Sequence, residues 1–133
     1  MPHKLLLEQF GPVHALPVLH YKMEFASLVR RAVERVEPDC VAIELPHTLR
    51  DHFLRGISRL PEISVLRYEV RLSRKRGDER YRTVFLLMEP ADPLVEAARL
   101  ARERNIPLAC VDVDLEEYPC YDEPFPESYA VHR

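Results

Sequence analysis

The chain has 133 residues, of which 47% are hydrophobic and 31% are charged, and its formal net charge is −3. This length suits one domain with a single core, and the composition is that of a globular protein. Because nucleic-acid-binding domains usually carry a basic excess, the charge argues against nucleic acid as the main partner. No apolar run approaches the roughly 20 residues that span a bilayer, and charge interrupts the amino terminus too early for a secretory signal. We therefore predict a cytoplasmic protein with no nucleic-acid or membrane partner.

Cysteine and glycine usage narrows the chemistry further. Cys40, Cys110 and Cys120 are odd in number and have no CxxC spacing. We expect all three to be reduced, with Cys40 and Cys110 buried as small hydrophobes and Cys120 exposed. The three glycines form neither GxGxxG nor a GxxxxGK[ST] loop, which excludes nucleotide binding of those two types.

Hydrophobic patterning predicts alternating strands and helices in the first half of the chain. Val13–His20 is an apolar run that indicates a strand interrupted at Pro17. Met23–Val36 has apolar residues at helical spacing and a basic opposite face, so it predicts a helix. Cys40–Leu45 is a continuous apolar run that ends with an acid, typical of a strand covered on both faces.

The second half predicts a helix, a hairpin, another helix and a last strand. Thr48 is placed to cap a helix whose apolar residues run from Leu49 to Leu60. Ile63–Ser73 alternates in polarity and predicts a hairpin with Tyr81–Met88 around a charged tip. The pair Asp92-Pro93 marks a helix start, because a capping acid precedes a proline. Ile106–Val113 is rich in β-branched residues and predicts the last strand.

This order of elements indicates an α/β fold with a mostly parallel sheet, helices on both faces and one long β-hairpin. We assign residues 1–115 to this domain. Residues 116–133 read as an acidic, proline-rich tail, or as the start of a further carboxyl-terminal region. We expect the sequence to be the amino-terminal part of a longer protein, because an apolar pattern resumes just before the sequence stops.

Titratable side chains stand at every predicted strand end. They are His20, Glu44, Glu89, Asp112 and Asp114. In parallel α/β sheets ligands bind beyond the carboxyl ends of the strands, so these side chains are expected to share one site. Adjacent carboxylates repel unless a proton or a cation neutralises them, and carboxylates with an imidazole suit Mn, Zn, Co or Fe. A bound divalent metal could activate water for hydrolysis.

Each of these residues also has an ordinary structural interpretation. His20 could be a hydrogen-bonded histidine at a strand end, and Glu44 could cap the next helix or pair with Arg50. Glu89 could receive a backbone donor in the turn before Pro90. One of the two aspartates near the last strand could simply cap a loop. The basic run between Arg71 and Arg82 is typical of a solvated hairpin tip rather than an anion site.

Three segments resemble the TraB family and its TIKI, PrgY and GumN-like relatives. Pro17–His20 resembles the family's GxxH motif at a strand end. Pro38–Leu45 resembles its PD-hydrophobic-EL strand, and Val111–Leu115 resembles its strand-terminal DRD segment. The resemblance covers Val13 to Leu115. It departs from the pattern at two points, since a proline stands for the glycine of GxxH and Val113 for the arginine of DRD. The family's second GxxH has no counterpart after Leu115.

The resemblance implies a metal-dependent, peptidase-like hydrolase in a wider group with erythromycin-esterase-like and ChaN-like proteins. It assigns catalytic or metal-binding positions to His20 and Glu44, and the acidic segment to Asp112 and Asp114. We predict His20, Glu44 and Asp112 as catalytic, and His20, Glu44, Glu89 and Asp114 as metal ligands; Glu89 rests only on its strand-end position. The substrate would be a small molecule or peptide. The alternative is a non-catalytic binding or dimerisation module, a homodimer joined through the long hairpin.

Overall fold

The computed structural model of the protein describes residues 7–71, 77 and 80–115. Within these residues there are three α-helices: α1 (Met23–Val36), α2 (Arg50–Ile57) and α3 (Pro93–Glu103). The six strands of the same residues are β1 (Glu8–Phe10), β2 (Val13–Ala15), β3 (Val41–Pro46), β4 (Ser64–Arg71), β5 (Tyr81–Met88) and β6 (Leu108–Asp112). The predicted tail at 116–133 and the prediction for Cys120 lie outside the described residues.

The described strands form three pairs. β3 runs parallel to β6, with Val41 opposite Leu108, and the register shifts before Pro46, which lies opposite Asp112. β4 and β5 form the predicted long hairpin, antiparallel in an unbroken register. β1 and β2 form a second, short antiparallel pair. The α/β class is therefore confirmed, whereas a mostly parallel sheet with helices on both faces stays a prediction.

The core lies between β3 and the three helices. Val41, Ile43 and Leu45 of β3 are buried, and Ala42 and Glu44, which alternate with them, are exposed. α1 packs on α3, and α3 packs on β3. The buried side chains of this core include Val29, Val33, Phe53, Ile57, Met88, Val95, Ala98 and Leu100. The single-face burial of β3 turns the Glu44 side chain away from this core.

Helix α3 begins where the sequence predicts. The Asp92 carboxylate accepts hydrogen bonds from the backbone N–H groups of Leu94 and Val95, and Pro93 occupies the first helical position. One turn later, the buried Glu96 binds Arg30 of α1 at 2.8 Å and Arg99 of its own helix at 2.7 Å. This ion-pair network joins α1 to α3 directly behind the start of α3.

Three local predictions were wrong. Of the predicted strand Val13–His20, only Val13–Ala15 is a strand. It pairs with β1 across a turn at Gly11, which has a left-handed φ angle. Pro17 has no N–H group to donate to a longer ladder. Thr48 does not cap α2, since it lies in a 3-10 turn and its hydroxyl binds Asp114 instead. Cys40 is exposed rather than buried, because it precedes the first residue of β3 that faces the core.

Candidate active site

A histidine and a buried aspartate form the centre of the candidate site. His20 lies in the turn before α1, and Asp92 caps α3. The Nδ1 atom of His20 is 2.9 Å from Oδ2 of Asp92, and the two side chains are 48% and 0% exposed. Because an ionised carboxylate only accepts hydrogen bonds, Nδ1 carries the proton of this bond. The Nε2 atom is therefore the nitrogen that remains for a substrate, a water or a metal.

The Asp92 carboxylate is fully occupied by donors. Its Oδ1 accepts from the N–H groups of Leu94 and Val95, at 2.9 and 3.2 Å. Its Oδ2 accepts from His20 and from the N–H group of Tyr21 at 3.2 Å. Four donors on a buried carboxylate compensate for the loss of water and favour the ionised form. Asp92 thus fixes the position of the His20 imidazole at the amino end of α3.

The backbone at Tyr21 makes this arrangement possible. Tyr21 has a φ angle of 58°, in the left-handed region that non-glycine residues rarely occupy. This conformation lets its N–H group and the preceding imidazole reach the same oxygen of Asp92. The Tyr21 hydroxyl also accepts a hydrogen bond from the N–H group of Leu87, at 3.4 Å. Unfavourable backbone conformations held by several contacts are concentrated at functional sites.

Charge distribution separates the pKa values of the pair. The hydrogen bond to Asp92 raises the pKa of His20 above 6.5, although burial lowers it, and the charges of Asp92 and Glu44 raise it further. Burial opposes ionisation of Asp92, but its hydrogen bonds and the charge of His20 outweigh burial and lower its pKa below 3.8. Both shifts favour the imidazolium–carboxylate pair. The raised pKa makes the neutral imidazole a stronger base and also leaves a smaller fraction of it neutral, so its capacity to accept a proton increases as the pH rises.

The charge of one predicted site residue acts on this centre, and the charge of a second acts on Tyr68, which Tyr21 also affects. Glu44 is exposed on β3, and its charge acts on the His20 imidazole. Asp112, at the end of β6, acts on Tyr68 together with Tyr21, and burial is the main cause that raises the pKa of Tyr68. Asp112 also accepts a hydrogen bond from the N–H group of Val113, at 2.8 Å. Of the predicted strand-end residues, His20 and Glu44 therefore interact electrostatically, and the charge of Asp112 acts on Tyr68.

The two remaining predicted ligands have other contacts. The hydroxyl of Thr48 donates to the Asp114 carboxylate, and that bond is the main cause that lowers the pKa of Asp114. The backbone N–H group of Leu115 donates to the same oxygen at 2.8 Å. The backbone oxygen of Glu89 accepts from the N–H group of Asp92 at 3.1 Å. Asp114 therefore joins the end of β6 to the turn before α2, and Glu89 supports the turn that presents Asp92.

The number of candidate metal ligands in the described residues is relevant to the predicted metal site. Among residues 7–71, 77 and 80–115, no group of three or more His, Cys, Asp or Glu side chains is arranged to hold an ion. His20 and Glu44 provide at most two such donors, and a protein zinc site usually has three or four. These residues therefore do not by themselves fit a divalent metal, and the chemistry below uses only the chain's own side chains.

An apolar groove extends to Glu44, near the carboxyl end of β3. It has a volume of about 620 Å³ and lies between β2, α1, β3 and the start of α3. Val29 and Val33 of α1, Ile43 of β3 and Leu94 of α3 line it, and Glu44 is its one acidic lining residue among those described. Concave, mostly apolar pockets with few polar groups are typical ligand sites. The groove can hold the apolar part of a ligand whose polar end lies at Glu44.

The opposite pKa shifts of the pair predict a pH window for stability. His20 has the higher pKa in the folded state, so its contribution is complete below 6.5 and is lost as pH rises through the folded value. Asp92 has the lower pKa in the folded state, so its contribution is complete above 3.8 and is lost as pH falls through the folded value. We expect His20→Gln to destabilise the protein most between pH 3.8 and 6.5, and less at higher pH.

Urea denaturation of the original protein and of the His20→Gln variant, from pH 4 to pH 9, measures the effect. His14→Gln is the matched control, because His14 is an exposed residue of β2. A destabilisation by His20→Gln that is constant from pH 4 to pH 9, or one that the His14 variant shares, would contradict the assigned pair.

Asp92 is the site residue that sequence reasoning missed. The pair Asp92-Pro93 indicated a helix cap, and that role is confirmed. A cap uses only one carboxylate oxygen, and the second oxygen is the one that His20 and Tyr21 reach across the fold. The signal that could have found it was the position of this acid, four residues after Met88, the predicted end of β5.

Two further findings concern the chain as a whole. None of the helices in the described part of the chain is long and apolar enough to cross a membrane. Comparison with protein-family models, curated proteins and solved structures finds no match for the chain. The resemblance to the TraB family therefore stays a prediction.

Proposed function

We propose that the protein is a hydrolase of acyl compounds in which His20 is the general base and Asp92 its positioning residue. The observation that carries the proposal is the 2.9 Å bond between a half-exposed imidazole and a fully buried carboxylate. A histidine oriented by a carboxylate is the recurring means by which proteins activate water or a hydroxyl group near neutral pH. Glu44 adds a negative charge next to the same ring.

The proton transfers follow from this geometry. Nε2 of His20 takes a proton from a water molecule as its oxygen attacks the carbonyl carbon. The C–O or C–N bond to the leaving group then breaks, and the imidazolium returns the proton to that group. Asp92 stays ionised throughout, because four hydrogen bonds already stabilise its charged form. The charges of Asp92 and Glu44 stabilise the imidazolium between the two transfers.

The apolar groove supports a substrate with an apolar acyl or side chain. Its walls from α1 and β3 are aliphatic, and it reaches Glu44, whose charge acts on His20. Esters or peptides with an aliphatic group would bury that group in the groove and leave the scissile bond at its polar end. We include peptides because the resemblance to the TraB family implies a peptidase-like activity.

The proposal includes three features that the sequence predicts. One is membership of the TraB family, on a mostly parallel sheet with helices on both faces. The second is the predicted divalent ion with His20 and Glu44 as ligands; because an ion on Nε2 of His20 would replace the general base, this role is an alternative to the proton transfers above. The third is a role for Asp112, next to Tyr68, in orienting the substrate or its water.

A substrate screen tests the proposal. The purified chain is incubated with p-nitrophenyl esters of increasing acyl length and with a peptide library, with and without Mn, Zn, Co or Fe. We expect hydrolysis that increases with the aliphatic length and is lost in His20→Gln but kept in His52→Gln, because His52 is an exposed residue of α2 that lines neither groove. Hydrolysis that the His20 variant retains would contradict the proposal, as would a preference for acyl groups too short to enter the groove.

The hairpin favours a second candidate function, a binding module that forms a homodimer. One face of β4 and β5 exposes Val65, Tyr81 and Phe85, which are each more than half exposed. Val65 and Phe85 are diagonal neighbours on this face, and exposed apolar side chains that lie together often mark protein contacts. A dimer in sedimentation that Phe85→Lys converts to a monomer, together with no hydrolysis of any ester or peptide, would favour this function over the hydrolase.

A further inference from the structure

A second groove lies on another side of the fold, between α2, α3 and the start of β6. Its volume is about 600 Å³. It shares no lining residue with the apolar groove, and none of His20, Glu44 and Asp92 lines it. The groove is therefore spatially separate from the proposed hydrolytic site.

Arginines dominate the polar lining of this groove. Arg50 and Arg55 come from α2, and Arg102 comes from the last turn of α3. Asp51 is the one carboxylate among the described residues of the lining, so their three positive charges and one negative charge leave a net charge of +2. The chain as a whole has a net charge of −3, so this local excess is opposite to the overall charge. Arginine guanidinium groups bind carboxylates and phosphates through paired N–H donors.

The three arginines differ in how far the protein already uses them. Arg50 pairs with Asp51 at 3.2 Å, and Arg55 binds Nδ1 of His52 at 2.7 Å. The Arg102 guanidinium makes no hydrogen bond or ion pair with any residue that the structure describes. A guanidinium that lines a concave surface without a protein partner keeps all five donors for a ligand.

The remaining walls of the groove are apolar. Leu54 of α2, Ala98 of α3 and the segment Ile106–Leu108 line it. The hydroxyl of Ser58, after the end of α2, also lies in the lining and donates to the backbone oxygen of Arg55 at 2.7 Å. A free inorganic anion would use the arginines and leave these apolar walls in water. A ligand with both an anionic group and an apolar body would use both parts of the lining.

We propose that this groove, lined by Arg50, Arg55 and Arg102 next to an apolar wall, binds a small organic anion with an apolar body. The anionic group is a carboxylate or a phosphate monoester, which guanidinium groups recognise in the same way. The apolar body packs on Leu54, Ala98 and Ile106. Because the groove is open and lies apart from His20, the ligand binds whether or not the hydrolase site is occupied.

Calorimetry on the whole chain tests the proposal with four probes: phenyl phosphate, benzoate, inorganic phosphate and benzyl alcohol. We expect one of the two aromatic anions to bind at least about tenfold more tightly than inorganic phosphate and benzyl alcohol, and its affinity to fall with added salt. The stronger of the two identifies the anionic group. Equal affinity for inorganic phosphate would identify a site for the anion only and would overturn the proposal, as would no saturable binding of either aromatic anion.

Two variants locate the binding. Arg102→Gln should weaken the bound aromatic anion by about tenfold or more, because a charge-assisted hydrogen bond is lost. Arg31→Gln, on the exposed face of α1, is the matched control and should leave the affinity unchanged. NMR shifts on binding should involve the amides of Leu54, Ala98 and Ile106. An equal effect of the two variants, or shifts confined to the apolar groove, would contradict the proposal.

Discussion

Asp92→Ala is expected to lower the free energy of unfolding by about 2–4 kcal/mol. Loss of the cap on α3, which leaves the N–H groups of Leu94 and Val95 without an acceptor, costs about 0.5–2 kcal/mol. The part-buried N–H group of Tyr21 also loses its acceptor, which costs about 1–3 kcal/mol. The bond to His20 adds little to this sum, because half of the imidazole side chain is exposed to solvent. Urea denaturation at pH 7 measures the change.

Asp92→Asn is the variant that separates the cap from the site. Its amide oxygen can still accept from Leu94 and Val95, so we expect a smaller loss of stability than in the alanine variant. Its amide nitrogen would face Nδ1 of His20 and donate to it, which places the imidazole proton on Nε2. An alanine variant as stable as the original protein would show that Asp92 neither caps α3 nor satisfies the turn at Tyr21.

His20→Gln is expected to lower the rate constant of hydrolysis by about 10²–10⁴-fold, the usual contribution of a general base. Glutamine cannot take a proton from water near neutral pH, although its amide can still bond to Asp92. Asp92→Asn should reduce the rate by a similar factor, because it leaves the wrong nitrogen protonated. Steady-state rates on the best ester or peptide of the substrate screen measure both effects.

The two variants together form a consistency test. If His20 and Asp92 act as one unit, the double variant should be no slower than the slower single variant. Rate losses that multiply in the double variant would show that the two residues act independently. A rate unchanged in His20→Gln would remove the histidine from the mechanism.

Several elements could be predicted because local signals determine them. The periodicity of α1, the alternation of the β4–β5 hairpin and the Asp92-Pro93 start of α3 each agree with the structure. The spacing of apolar residues along the sequence indicates which face of a helix or strand is buried. His20 and Glu44 could be singled out for a similar reason, since each stands at or near the end of an apolar run.

The rest depends on contacts that no local pattern encodes. The second oxygen of Asp92 finds its donors at His20 and Tyr21, more than 70 residues earlier in the chain. The left-handed conformation at Tyr21 has no sequence signature, because tyrosine does not favour it. Thr48 looked like a helix cap, but the tertiary contact with Asp114 replaced the local one. The sequence therefore predicted Asp92 as the cap of α3 but not as the partner of His20.

The protonation of His20, measured by ¹⁵N NMR of the imidazole from pH 4 to pH 9, tests the His20–Asp92 pair most directly. We expect a pKa above 6.5 and a neutral form that keeps its proton on Nδ1. We also expect Asp92→Asn to lower this pKa and to move the proton to Nε2. A pKa at or below 6.5 in the original protein, with the neutral proton on Nε2, would contradict the pairing on which the proposed activity depends.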